Sequence, residues 1–118
     1  MTPAELLAAA QELIARRDAS TAGVWPRTAA LLARQALEDA VDARWASDPV
    51  TAAMCNASTW SKLTCLPAYL DKQIAHQVAF AYAALSGACH YHPYELAPTA
   101  GELTGWISDV EVLVAQLA

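Results

Sequence analysis

Two of the three histidines of this chain lie in one short segment, Ala88-Cys89-His90-Tyr91-His92-Pro93-Tyr94-Glu95-Leu96, beside a cysteine, two tyrosines and a carboxylate. An imidazole titrates near neutrality, so His90 and His92 could give and take the proton of a ribose hydroxyl. On a continuing helix their side chains would point about 200° apart. Pro93 ends the helix, however, and can let both reach one cleft. The competing roles for the pair are capping of a helix end and contact with a ligand or partner, with Tyr91, Tyr94 and Glu95 as neighbouring binding residues.

Other chemistries find less support. Cys89 and His92 have an i, i+3 spacing that could share a metal, with His90 or Cys65 as further ligands. No paired C-x-x-C element accompanies them, and Cys89 shares a helical stripe with Leu85, which favours core packing over a metal. No G-x-S-x-G elbow, Walker loop or dinucleotide motif occurs among the four glycines, so no cofactor is expected. His76 has no neighbour of ligand or triad type and reads as a surface or packing residue. Trp25, Trp45, Trp60 and Trp106 read as core or core edge, with a ligand pocket or dimer face as the alternative.

The elements that must position these residues are helical. Ala and Leu recur throughout, and nowhere do β-branched residues alternate with polar ones over a useful length. Thr2, Pro3 and Glu5 form a capping box with proline at the first helical position, opening a helix that should end near Arg17. Pro26 starts a second helix to about Ala46, stopped by Asp48-Pro49, with Ala30, Ala33, Leu37 and Val41 at spacings of three and four. Residues 50 to 58 are the least patterned, and Thr59 to Leu66 could form a short helix broken by Pro67. Asp71 caps a helix running from Lys72 to about His90, with Ile74, Val78, Ala81 or Tyr82, Leu85 and Cys89 on its apolar stripe. Thr99 and Glu102 repeat the capping box before Leu103, Trp106, Ile107, Val110, Leu113, Val114 and Leu117. The pattern predicts an all-α fold: a four-helix bundle with an additional short helix in the middle, in a single domain over residues 1–118.

Composition narrows the function classes. An apolar fraction of 56% with 16% charged residues is unlike that of a disordered chain, and no apolar run approaches the roughly 18 residues of a membrane span. The absence of a secretory pattern near Met1 and the odd number of cysteines, at 55, 65 and 89, point to a cytoplasmic, reducing setting. Twelve acidic against seven basic residues give a net charge of −5, which disfavours passive nucleic-acid binding, and DNA binding is not expected. Arg27, Arg34 and Arg44 could still form a local basic face, although Glu38, Asp39 and Asp42 share their helix.

The second helix, Ala29-Ala30-Leu31-Leu32-Ala33-Arg34-Gln35-Ala36-Leu37-Glu38, followed by a late helix ending in His90 and an acid-capped final helix, resembles the HEPN family, the nucleotide-binding domain of higher eukaryotes and prokaryotes. The resemblance spans roughly residues 26 to 117 and implies a helical bundle, commonly a homodimer. Many members are metal-independent ribonucleases of bacterial toxin–antitoxin and defence systems, while others serve as binding or accessory modules. Active members carry an arginine shortly before the histidine. Here the corresponding positions before His90 are Leu85, Ala84 and Ala83, and those before His92 are Gly87, Ser86 and Leu85, none of them arginine. The resemblance therefore implies a binding or regulatory module with a protein partner or RNA, centred on His90, His92, Tyr94 and Glu95. Arg27 or Arg34 of the second helix could substitute in space, and should Arg34 reach His90, the pair would instead suit a ribonuclease, with His92 or Tyr91 assisting and Glu38 nearby. A purely structural homodimer built on the tryptophan-rich face is the third expectation.

Overall fold

The computed structural model describes residues 1–92 and 94–118. Five α-helices follow one another: α1 (Pro3–Ala15), α2 (Trp25–Ala46), α3 (Thr59–Cys65), α4 (Lys72–Cys89) and α5 (Ala100–Leu117), with no strand among the described residues. The expected all-α architecture of four long helices and one short central helix is what forms. No helix is long and apolar enough to cross a membrane among the described residues.

The helix starts follow local chemistry. Thr2 and Glu5 close a capping box on α1, Thr99 and Glu102 do the same on α5, and the Asp71 carboxylate accepts from the backbone N–H groups of Gln73 and Ile74 at α4. Each cap satisfies amide groups that have no partner within the helix. α1 stops at Ala15, two residues short of the sequence expectation. The Arg17 side chain folds back to donate to the Ile14 carbonyl at 2.7 Å, and Asp18 caps a separate 3-10 turn over Ala19–Thr21. At the other end of α2, the buried Thr51 hydroxyl donates to the Trp45 carbonyl at 2.8 Å. The unpatterned stretch after it contains a 3-10 turn, Ala52–Asn56.

α2 is the central element and packs against α1, α4 and α5. Its buried face carries Ala29, Ala30, Ala33, Ala36 and Ala40 beside Leu37, Val41 and Trp45. Small side chains let neighbouring helix axes approach closely, which is how one helix can serve three partners. Leu6, Leu7, Ala10 and Ile14 of α1, Val78, Ala81 and Leu85 of α4, and Leu103, Ile107, Val110, Leu113 and Leu117 of α5 close the core around it. The tryptophans divide: Trp45 is 1% exposed and Trp60 75% exposed, so Trp60 departs from the core expectation.

Candidate functional site

α2 and α4 run antiparallel, because Arg34 meets His90 while Glu38, one turn later on α2, meets Tyr82, two turns earlier on α4. Arg34 Nη1 lies 3.4 Å from His90 Nε2. A guanidinium can only donate, so the contact is a hydrogen bond when Nε2 carries no proton. Arg34 Nε is 3.8 Å from Glu38 Oε1, and the Tyr82 hydroxyl donates to the same oxygen at 3.0 Å. The result is a chain of polar groups, Tyr82 to Glu38 to Arg34 to His90, crossing the helix interface. The Arg34 side chain is 19% and the Glu38 side chain 27% exposed, whereas His90 itself is exposed. Glu38 and Tyr82 therefore hold the guanidinium from behind and the imidazole presents the cluster to solvent. Ser86, one turn before His90, has a buried hydroxyl with no hydrogen-bond partner among the described residues.

A second arginine secures the histidine. Arg27 donates from Nη1 to the Cys89 carbonyl at 3.3 Å and from Nη2 to the Tyr91 carbonyl at 2.9 Å, and its guanidinium carbon sits 4.1 Å from the centre of the Tyr91 ring. It thus bonds the residues on both sides of His90 at the C-terminus of α4, where unpartnered carbonyls and the helix dipole favour a cation. Cys89 is buried, and burial pushes its thiol pKa up despite the nearby Arg34. That environment makes a small packing residue and a poor nucleophile or metal ligand. No group of three or more His, Cys, Asp or Glu side chains among the described residues could hold a metal ion.

His92 and Tyr94 form a distinct unit. Their rings stack with centroids 5.0 Å apart and planes 27° apart, and the Tyr94 backbone N–H donates to His92 Nδ1 at 3.3 Å. Glu95 is exposed, and its side chain makes no hydrogen bond or ion pair among the described residues. Of the residues singled out in the sequence, Arg34, Glu38 and His90 therefore converge, Tyr91 lies against Arg27, and His92, Tyr94 and Glu95 occupy the adjoining turn. His76 lies elsewhere, on an open groove between α4 and α5 with Phe80 and Val112.

Behind the cluster, Leu37, Glu38, Asp42, Lys62 and Tyr82 line a cavity of about 40 Å³. That volume accommodates a water or two and no substrate, so a ligand of this cluster would have to sit on its outer rim at His90. Lys62 is unavailable to it, since its ammonium is 2.7 Å from Asp42 and its side chain is only 13% exposed. Sequence reasoning missed Tyr82 as a member of the site, and it offered Arg27 as an alternative to Arg34 for the missing cation, whereas Arg27 bonds the backbone on both sides of His90. The spacing held part of the signal, because Tyr82, Ser86 and His90 recur every four residues and share one helix face. No protein-family model, curated protein or solved structure matches this chain, so the functional reading rests on this geometry.

Proposed function

We propose that the protein is a metal-independent ribonuclease whose catalytic pair is Arg34 and His90. The observation that carries this reading is the 3.4 Å approach of the Arg34 guanidinium to His90 Nε2, which brings from α2 the arginine that α4 lacks. With Nε2 unprotonated, an Arg34 N–H would occupy its lone pair in the free protein. A phosphodiester at the rim would draw the guanidinium onto its non-bridging oxygens and release that lone pair. His90 Nε2 then takes the proton of the ribose 2′-hydroxyl, and the 2′-oxygen forms a bond to phosphorus. The bond from phosphorus to the 5′-oxygen breaks, the leaving oxygen takes a proton from water, and a 2′,3′-cyclic phosphate remains. Arg34 neutralises charge gathering on the phosphoryl oxygens, and Glu38 with Tyr82 keeps its position.

A second reading, a non-catalytic binding or regulatory module, draws on a different observation. Arg34 already shares its charge with Glu38 at 3.8 Å, and the chain's net charge of −5 repels polyanions. The deciding experiment is cleavage of a mixed RNA by purified protein in EDTA, with His90→Ala prepared identically. Cleavage by the wild type that is lost in His90→Ala supports the ribonuclease. A folded wild type that leaves the RNA intact overturns it in favour of the module.

A further inference from the structure

The turn after α4 presents aromatic surface that the fold does not use. Tyr94 is 94% exposed, and it carries His92 stacked on one side at 5.0 Å. The arrangement is built by the backbone: the Tyr94 N–H donates to His92 Nδ1, and the Glu95 N–H donates to the His92 carbonyl at 2.9 Å. His90, which faces Arg34, lies two residues before His92.

Affinity for a nucleic acid has few sources here. The net charge is −5, Lys62 is paired with Asp42, and Arg27 spends its donors on backbone carbonyls. Among the described residues Arg34 is the cation beside His90, and one partly compensated guanidinium gives a weak, salt-sensitive hold. Stacking on an aromatic face does not depend on net charge, and every nucleobase has a face to offer. We infer that the His92–Tyr94 pair is a stacking platform for an unpaired nucleobase next to the phosphate held at Arg34 and His90. The ligand class is single-stranded RNA, because a base inside a duplex is already stacked on both sides. This assignment deepens the ribonuclease reading and rests on its placement of the phosphate.

The test uses a 2′-O-methyl tetraribonucleotide, which has no 2′-hydroxyl and cannot be cleaved by the proposed route. It is compared with an abasic tetramer of equal charge and with a blunt duplex, at one fixed salt concentration. The base-bearing single strand should bind wild type about 5- to 150-fold tighter than the abasic one, the ratio that stacking one base gives. Tyr94→Ala should erase the difference and Tyr94→Phe should keep it, and the exposure of Tyr94 leaves the fold intact in both. Equal binding of the abasic strand or the duplex, an unchanged ratio in Tyr94→Ala, or no binding by wild type overturns the platform. A Tyr94-dependent ratio in a protein that leaves unmodified RNA uncut keeps the platform and removes the catalytic reading, so the two fail separately.

Discussion

Removing the Arg34 guanidinium is the sharpest perturbation available. Its side chain is four-fifths buried against the α4 interface, at 19% exposure, so a phosphate on its outer edge sits in surroundings intermediate between water and protein interior. A unit charge at ~4 Å is worth about 4 kcal/mol at an effective dielectric near 20. Glu38, 3.8 Å away on the inner side, offsets part of this attraction in the wild type. In Arg34→Ala it remains as an uncompensated carboxylate near the phosphate. The expected loss in kcat/KM is about 10²- to 10³-fold, comparable to deleting one transition-state donor elsewhere. Arg34→Lys keeps the charge without the planar fork and should recover about tenfold over alanine. The assay is initial-rate cleavage of an unstructured RNA in EDTA at fixed ionic strength, with urea melts to show that each variant is folded. A folded Arg34→Ala cutting within about threefold of wild type would refute the assignment.

Three further outcomes follow from the same structure. Ser86→Ala removes a buried hydroxyl without a partner and adds helix propensity, so urea unfolding should show a gain of about 0.5–1 kcal/mol; a loss of that size would mean the hydroxyl is bonded after all. A thiol reagent should modify the exposed Cys65 rapidly and the buried Cys89 only on unfolding, since burial also raises the Cys89 pKa and lowers its thiolate fraction. Asp18, held below its ordinary 3.8 by hydrogen bonds first from Ser20 and then Thr21, contributes stability that is present above its unfolded pKa and fades as pH falls through the lower folded value. Wild type should therefore lose more stability on acidification than Asp18→Ala, and parallel melts at neutral and acid pH would contradict this.

What the sequence made legible was local. Thr2, Asp71 and Thr99 announce helix starts through contacts with residues two or three positions on, and the apolar stripes of α2, α4 and α5 follow from a 3.6-residue period. The site was less legible because its pairs are tertiary: Arg34 and His90 are 56 residues apart, and Tyr82 and Glu38 are 44 apart. A search for arginine just before His90 returns Leu85 and its neighbours, because the cation stands on the antiparallel helix. Side-chain type was equally mute for Trp45 and Trp60, since burial is decided by whether the face that carries the ring meets a neighbouring element. Arg27 read as a possible stand-in for the missing arginine or as part of a basic face, and only the docked end of α4 shows it bonding both sides of His90.

The distance in sequence between the two halves of the cluster has a consequence for the chain while it is being made. A ribosome that has released only α1 and α2 has delivered Arg34, Glu38 and Arg27 but no His90, and α4 must emerge and dock before the imidazole meets its guanidinium. A protein that cuts RNA through this pair would stay harmless to the message being translated until synthesis had passed residue 91, where Arg27 makes its last backbone bond. Any protection of the template by a nascent copy would then come from the order in which the halves appear.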